Sequence, residues 1–210
     1  MKLTAKHLKI GVFGHGNARH LTKSTLKWAE AFGGLIASAS ASLYTGGGAG
    51  VMLAARRGCL AHGGTVISVN PEIELCGRAI SSHFLGNIIA SGQGTLGRVH
   101  LLTQSIDLGF AIGGGAGTLL EVIMCYLLAK PAVVVDGFQG KIDPCVAKIL
   151  SRAEEEVVSG VPVLSGYIDA KNVDLVCPVS VCPSTLSPEE VLNIGLTVWL
   201  ARRDKTHKRG

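Results

Sequence analysis

Short apolar runs alternate along this chain with longer stretches whose apolar positions recur every three or four residues. The first kind predicts buried strands and the second amphipathic helices. KIGVFG (9–14) predicts a first strand and STLKWAEAFGGLIAS (24–38) the helix after it. ASLYT (41–45) predicts a second strand, VMLAARRGCLAH (51–62) a helix, and TVISVN (65–70) a third strand closed by Pro71. Residues 71–94 lose the pattern and read as a long loop with one short edge strand at IEL (73–75). LGRVHLLTQSI (96–106) has helical spacing, LGFAIG (108–113) predicts a fourth strand, TLLEVIMCYLLA (118–129) a helix, and PAVVVDG (131–137) a fifth strand. A helix is expected at roughly 143–158 and a last strand near DLVCPVS (174–180). SPEEVLNIGLTVWLARR (187–203) predicts a closing helix, with Ser187 as N-cap, Pro188 at the first helical position and Glu190 completing a capping box.

Strands apolar on both faces and separated by helices imply a parallel sheet covered on both sides. Right-handed crossovers then make it a single doubly wound, Rossmann-like α/β domain. No Gly/Ser/Pro-rich linker divides it, so the expected domain is residues 1–203, with 204–210 a basic flexible tail.

Composition changes this picture little. The chain is 47% hydrophobic and 17% charged, as a globular protein is. Its net charge of +5 suggests nucleic acid, but RRDKTHKRG (202–210) alone holds five Arg or Lys against one Asp. The body is therefore near neutral, and with 5% aromatics no nucleic-acid role is expected. Six cysteines (Cys59, Cys76, Cys125, Cys145, Cys177, Cys182) show no zinc-type spacing, the closest pair being CPVSVC, and no secretory signal precedes them. They read as reduced, buried residues of a cytoplasmic protein, with no metal, no membrane span and no bound cofactor expected.

The pentapeptide GGGAG occurs at 46–50 and again at 113–117, each time between a buried strand and a helix. A parallel sheet puts both strand ends on its C-terminal edge, where open α/β sheets bind ligands. Glycines let the backbone approach a ligand, and the following helix presents unpaired N–H groups and its positive dipole end. Two such turns predict a site for phosphate, or for phosphate and ribose. GHGNAR (14–19) supplies Gly14 and a second glycine after the first strand, but Arg19 replaces the third glycine of GxGxxG. The second strand ends in Tyr44–Thr45 rather than an acid for a ribose hydroxyl, and no GxxxxGK[ST] exists, so NAD and ATP are poor fits.

Glu121 has two readings on local grounds. Thr118–Leu119–Leu120–Glu121 is T-x-x-E, a capping box. Alternatively its carboxylate faces a part of the ligand other than the phosphate, such as an anomeric carbon with a cation-like transition state. Arg98 is by default a surface arginine with its stem on the sheet, and His15 a solvated loop histidine.

YTGGGAGVMLAARRG followed by AIGGGAGTLLE resembles the Lonely Guy-like (SLOG) superfamily, once widely labelled lysine decarboxylases, over roughly residues 8–200. Its best-known branch consists of phosphoribohydrolases that release cytokinin bases from riboside 5′-monophosphates. A sister branch comprises molybdenum cofactor carrier proteins. The resemblance implies that Gly114, Gly115, Gly117 and Thr118 grip phosphate and that Arg98 and Glu121 are catalytic; the first turn, with Gly46, Gly47, Gly48 and Gly50, is expected to shape the pocket floor and meet the ribose. The resemblance also implies a homodimer, and the helix at 118–129 is apolar on nearly all sides. Gly113 replaces the motif's proline, Leu120 the first of its paired glutamates, and Val99 the lysine after the arginine, all departures toward the carrier and general nucleotide-binding branch. A decarboxylase would need a lysine for a pyridoxal Schiff base, and the lysines lie mostly near the termini or on helix surfaces. The expected function is hydrolysis of the N-glycosidic bond of a nucleoside 5′-monophosphate such as AMP. The alternative is a non-catalytic carrier of molybdenum cofactor or another phosphate-bearing pterin or nucleotide.

Overall fold

The computed structural model describes residues 7–71, 85–140, 146, 148, 150–168 and 178–207. In chain order these form β1 (Lys9–Gly14), α1 (Lys23–Ser38), β2 (Ser42–Thr45), α2 (Gly50–Ala61), β3 (Thr65–Asn70) and β4 (Asn87–Ala90). They continue as α3 (Gly94–Ser105), β5 (Leu108–Gly114), α4 (Ala116–Leu127), β6 (Ala132–Gly140), β7 (Ser151–Val158), β8 (Val161–Tyr167), β9 (Val179–Pro183) and α5 (Pro188–His207). Among the described residues the strands make one nine-stranded sheet in the order β4-β3-β2-β1-β5-β6-β9-β8-β7. All neighbours pair in parallel from β4 to β9, and β8 and β7 add antiparallel at one edge.

The alternation along each central strand sorts side chains into two cores. Ile10 and Val12 of β1, with Leu108, Phe110 and Ile112 of β5, face α1, α2 and α5. Phe13 and Ala111 face α3 and α4, against Leu102, Val122, Cys125 and Tyr126. Helices on both faces confirm the doubly wound expectation. On the first side Phe32 meets Phe110 edge-on at 4.9 Å and stacks on Trp28 at 5.2 Å. The indole N–H of Trp28 donates to the Leu186 carbonyl at 3.0 Å, tying α1 to the entrance of α5. That entrance is the capping box expected from sequence. The Ser187 hydroxyl accepts from the Glu190 amide at 3.3 Å, and the Glu190 carboxylate accepts from the Ser187 amide at 2.8 Å. The helix then runs on to His207, past the expected end at 203.

Two expectations need correction. The helix expected through residue 158 is instead strand β7 from Ser151 onward, hairpinned to β8. Ser159 and Gly160, with φ of 53° and 82°, make a two-residue turn of the type whose twist matches paired strands. Residues 152–157 are exposed, and charges at Arg152 and Glu154–Glu156 guard this sheet edge against further pairing. Within 71–94 the strand that forms is Asn87–Ala90, on the other edge; the IEL segment lies outside the described residues. The last strand is Val179–Pro183, three residues later than its expected end, and residues 174–177 lie outside the description. Cys59, Cys125 and Cys182 are free and buried, while Cys76, Cys145 and Cys177 are not described. Among the described residues no helix is long and apolar enough to cross a membrane.

The sheet order places β5 beside β1, so the connections leave these two strands in opposite directions. That is the topological switch point of the fold, and a crevice opens there at the C-terminal edge.

Candidate functional site

The second glycine turn is built by its strand partners. β5 extends into the pentapeptide because Gly114 pairs with Gly140, where β6 returns across a register shift. Gly113 and Gly114 take φ of 55° and 120°, and a Cβ at Gly114 would run into the Thr118 side chain. The chain then enters α4 with Gly115 as N-cap, and the Leu119 amide donates to the Gly115 carbonyl at 2.9 Å. The amides of Gly115, Ala116, Gly117 and Thr118 therefore precede the first helical bond, at the positive end of the helix dipole.

They face a cleft of about 590 Å³ lined by Gly14, His15, Gly16, Asn17, Met52, Arg98, Gly114, Gly115, Ala116, Gly117, Thr118 and Glu121. Apart from the adjoining backbone, no heavy atom of the described residues lies within 4 Å of the point a Cβ would occupy at Gly115 or Gly117. Neither has a positive φ. Among the described residues, no neighbour requires glycine at these two positions.

Glu121 lies one turn further into α4, 3% exposed. Since the helix begins at Ala116, Thr118 sits inside its first turn and cannot be the N-cap. The capping-box reading of Glu121 therefore fails. Its Oε1 instead accepts from Nη1 of Arg98 on α3 at 2.9 Å, the two side chains being 4% and 13% exposed. Burial pushes the Glu121 carboxyl up to about 7, while the charge and hydrogen bond of Arg98 pull it down. Arg98 is thus not a default surface arginine.

The first glycine turn is placed differently. Gly46, Gly47, Gly48 and Gly50 do not line the cleft, although Met52 of the helix beyond them does. A Cβ on Gly46 would collide with Arg98 Nη1 and come within 3.6 Å of Glu121 Oε1. Gly47 (φ 74°) is pressed against the Asn70 side chain and Gly50 (φ 60°) against the His15 carbonyl. Behind the turn lies Arg56 of α2, fully buried, donating from Nη2 to the carbonyls of Gly47 at 3.2 Å and Gly48 at 2.5 Å.

Gly14 ends β1 beneath the cleft, and the loop after it is pinned. The His15 carbonyl accepts from the Val51 amide at 3.1 Å, and its Nδ1 accepts from the Asn17 amide at 3.1 Å. In the neutral ring the proton then sits on Nε2. Sequence reasoning missed Asn17, Met52 and Arg56. The first belongs to the GHGNAR loop after β1, and Arg56 stood out only as a charge among small residues in VMLAARRGCLA. Among the described residues no cluster of His, Cys, Asp or Glu could hold a metal ion.

A model of the SLOG cluster4 family matches residues 7–163, and the chain belongs to that family. It is 31% identical over 141 residues to an uncharacterized protein of Archaeoglobus fulgidus, covering 64% of this chain and 87% of the relative. A molybdenum cofactor carrier protein from Chlamydomonas reinhardtii superposes with a TM-score of 0.53 at 32% identity, over 62% of this chain and 77% of that one. The X-ray structure of a structural-genomics target, TM1055, shares the fold with a TM-score of 0.66 at 23% identity, over 89% and 97% of the two chains.

Proposed function

We propose that this protein binds a small phosphate-bearing ligand in the cleft between β1 and β5 and, when the ligand is a nucleoside 5′-monophosphate such as AMP, hydrolyses its N-glycosidic bond. The observation that carries the binding reading is the empty space over Gly115 and Gly117 at the start of α4. Glycine at 117, inside the helix, costs helix stability, and at neither position does it relieve a clash with the described residues, which suits an anion drawn close onto the amides. The Thr118 hydroxyl adds a further donor at the same turn.

Glu121 and Arg98 supply the chemistry in this reading. As the bond from the anomeric carbon to the base breaks, its electrons leave with the base and positive charge develops on the sugar. The Glu121 carboxylate stabilises that charge and takes a proton from the attacking water, whose oxygen bonds to the anomeric carbon. The proton passes to the departing base, giving free base and ribose 5-phosphate. Arg98 holds the carboxylate in place and offsets part of its burial.

A carrier role is the second reading, favoured by the 32% identity to a molybdenum cofactor carrier protein. The same turn would then hold the phosphate of a pterin cofactor, with Glu121 and Arg98 as a structural pair. Incubation with AMP separates the two, following release of adenine and ribose 5-phosphate, with Glu121→Gln alongside. Release that falls at least about 100-fold in Glu121→Gln is the expected result. AMP bound but never cleaved leaves the carrier reading standing.

Two further parts of the proposal concern the setting. The three buried free thiols suit a cytoplasmic location. A homodimer would cover α4, where Leu127 is 64% exposed, together with Leu96 of α3 at 73%. Light scattering of the eluted protein should return twice the chain mass of 21.8 kDa, and a monomer mass for Leu127→Lys.

A further inference from the structure

We infer that Arg56 is a positioning residue: by gripping the first glycine turn from behind, it makes that turn the seat on which Arg98 meets Glu121. The inference rests on the reading of Arg98 and Glu121 as the working pair of the cleft.

Arg56 is fully buried, and among the described residues no carboxylate pairs with it. Its donors go instead to oxygens with no formal charge. Nε reaches the Met52 carbonyl at 3.2 Å, Nη1 the Ser68 hydroxyl at 3.2 Å, and Nη2 the carbonyls of Gly47 and Gly48. Burial, with Arg57 beside it, pulls the guanidinium down to about 10, so it stays charged at neutral pH. Desolvating a cation without a counter-ion is costly, and an aliphatic residue would fill the same helix face at no such cost. What the guanidinium adds is rigidity: with Nε on the Met52 carbonyl and Nη1 on the Ser68 hydroxyl, Nη2 is fixed against the two successive carbonyls of the turn.

Those carbonyls belong to the residues directly after Gly46. Gly46 is where the turn touches the working pair, because a Cβ there would overlap Arg98 Nη1 and lie 3.6 Å from Glu121 Oε1. Close packing of this kind transmits a displacement rather than absorbing it. With its carbonyls released, the turn moves at Gly46, and Arg98 loses the surface that holds it against the carboxylate. The first copy of GGGAG thus acts on the ligand through Arg98.

The test reads Glu121 without any ligand. Glutamate labelled with carbon-13 at the carboxyl, assigned by Glu121→Gln, gives its titration midpoint in the wild type, Arg56→Met, Arg56→Lys and Gly46→Ala. The groups facing Glu121 are Arg98 from α3 and Cys125 one turn along α4, whose thiol burial keeps neutral at about 12. His15 lines the same cleft in every variant, so its contribution cancels in the comparison. The expected result is a midpoint raised by about one pH unit in all three variants, because a loosened Arg98 no longer favours the carboxylate. Lysine keeps the charge but not the contacts with the Met52 carbonyl and the Ser68 hydroxyl that fix Nη2 on the turn, so a wild-type midpoint in Arg56→Lys would overturn the inference in favour of charge alone. An unchanged midpoint in folded Arg56→Met would overturn it too. Should Arg56→Met fail to fold, Arg56→Lys decides, since it keeps the buried charge, and Gly46→Ala shows separately that Arg98 responds to the turn at that contact. Calorimetry with AMP on the wild type stands apart: absence of binding there strikes the proposed function and leaves the titration result intact.

Discussion

Gly46–Gly50 and Gly113–Gly117 are the same five residues in the same setting, after a parallel strand and before a helix, yet the chain folds them differently. In the first copy the left-handed residues are the second and fifth, Gly47 and Gly50; in the second they are the first and second, Gly113 and Gly114. β2 stops at Thr45 because its pairing with β1 and β3 ends there, whereas β5 runs on to Gly114 because β6 returns to meet it. The helix accordingly starts at the fifth residue of one copy and the fourth of the other. The two also differ in what demands their glycines. In the first copy Arg98, Asn70, Met52 and the His15 carbonyl each occupy the space of a missing Cβ. In the second copy Gly115 and Gly117 face open space. A motif read from sequence gives the backbone freedom available, and the neighbours decide whether protein or ligand uses it.

The sharpest way to break that comparison is Gly50→Ala. An alanine there must hold φ near 60° while its Cβ overlaps a backbone carbonyl that is itself fixed by the Val51 amide. Strain and overlap together should cost about 3 kcal/mol or more, seen as a drop in the urea midpoint. A loss under about 1 kcal/mol would mean that the first turn is as free as the second.

The helix after the second turn carries its own cost, and pH exposes it. The Glu121 carboxyl is raised from 4.5 to about 7 by burial, so between those values the folded chain holds a proton that the unfolded chain has released. Stability from this group is complete below about pH 4.5 and is lost as pH rises through 7. Glu121→Gln removes the effect, so its unfolding free energy should gain on the wild type by roughly 2–3 kcal/mol between pH 4 and pH 8. Urea unfolding of both proteins at the two pH values checks this, and parallel profiles would show that Arg98 fully compensates the burial.

The parallel core was legible in the sequence because its strands are buried on both sides and separated by strongly periodic helices. The edge was not. SRAEEEVV reads as helix by its glutamates, and the Ser159–Gly160 dipeptide that turns it into a hairpin is the only local sign of β structure. At the site, the glycines and the matched Arg98 and Glu121 identified two side chains that the fold brings to 2.9 Å. The T-x-x-E pattern misled about Glu121 because the cap falls on Gly115, three residues ahead of the threonine. Arg56 was invisible for a different reason. A charged residue in a helix is exposed by default, and only the tertiary placement of the Gly47 and Gly48 carbonyls could draw it inside.

Gly117→Ala is the gentlest change and tests the second turn directly. Its φ is not positive, and beyond the adjoining backbone no heavy atom of the described residues lies within 4 Å of the new methyl, so the fold has no reason to object. Replacing glycine in the first turn of a helix should raise stability by about 0.5–1 kcal/mol. If the space above Gly117 is reserved for a phosphate drawn onto the amides, the same methyl should weaken AMP binding about tenfold, measured by calorimetry. Opposite signs in the two measurements are what a ligand-imposed glycine predicts and what a fold-imposed glycine, as at Gly50, cannot produce. A more stable protein with unchanged affinity would place the phosphate elsewhere in the cleft and leave Gly117 without a reason in either the fold or the ligand.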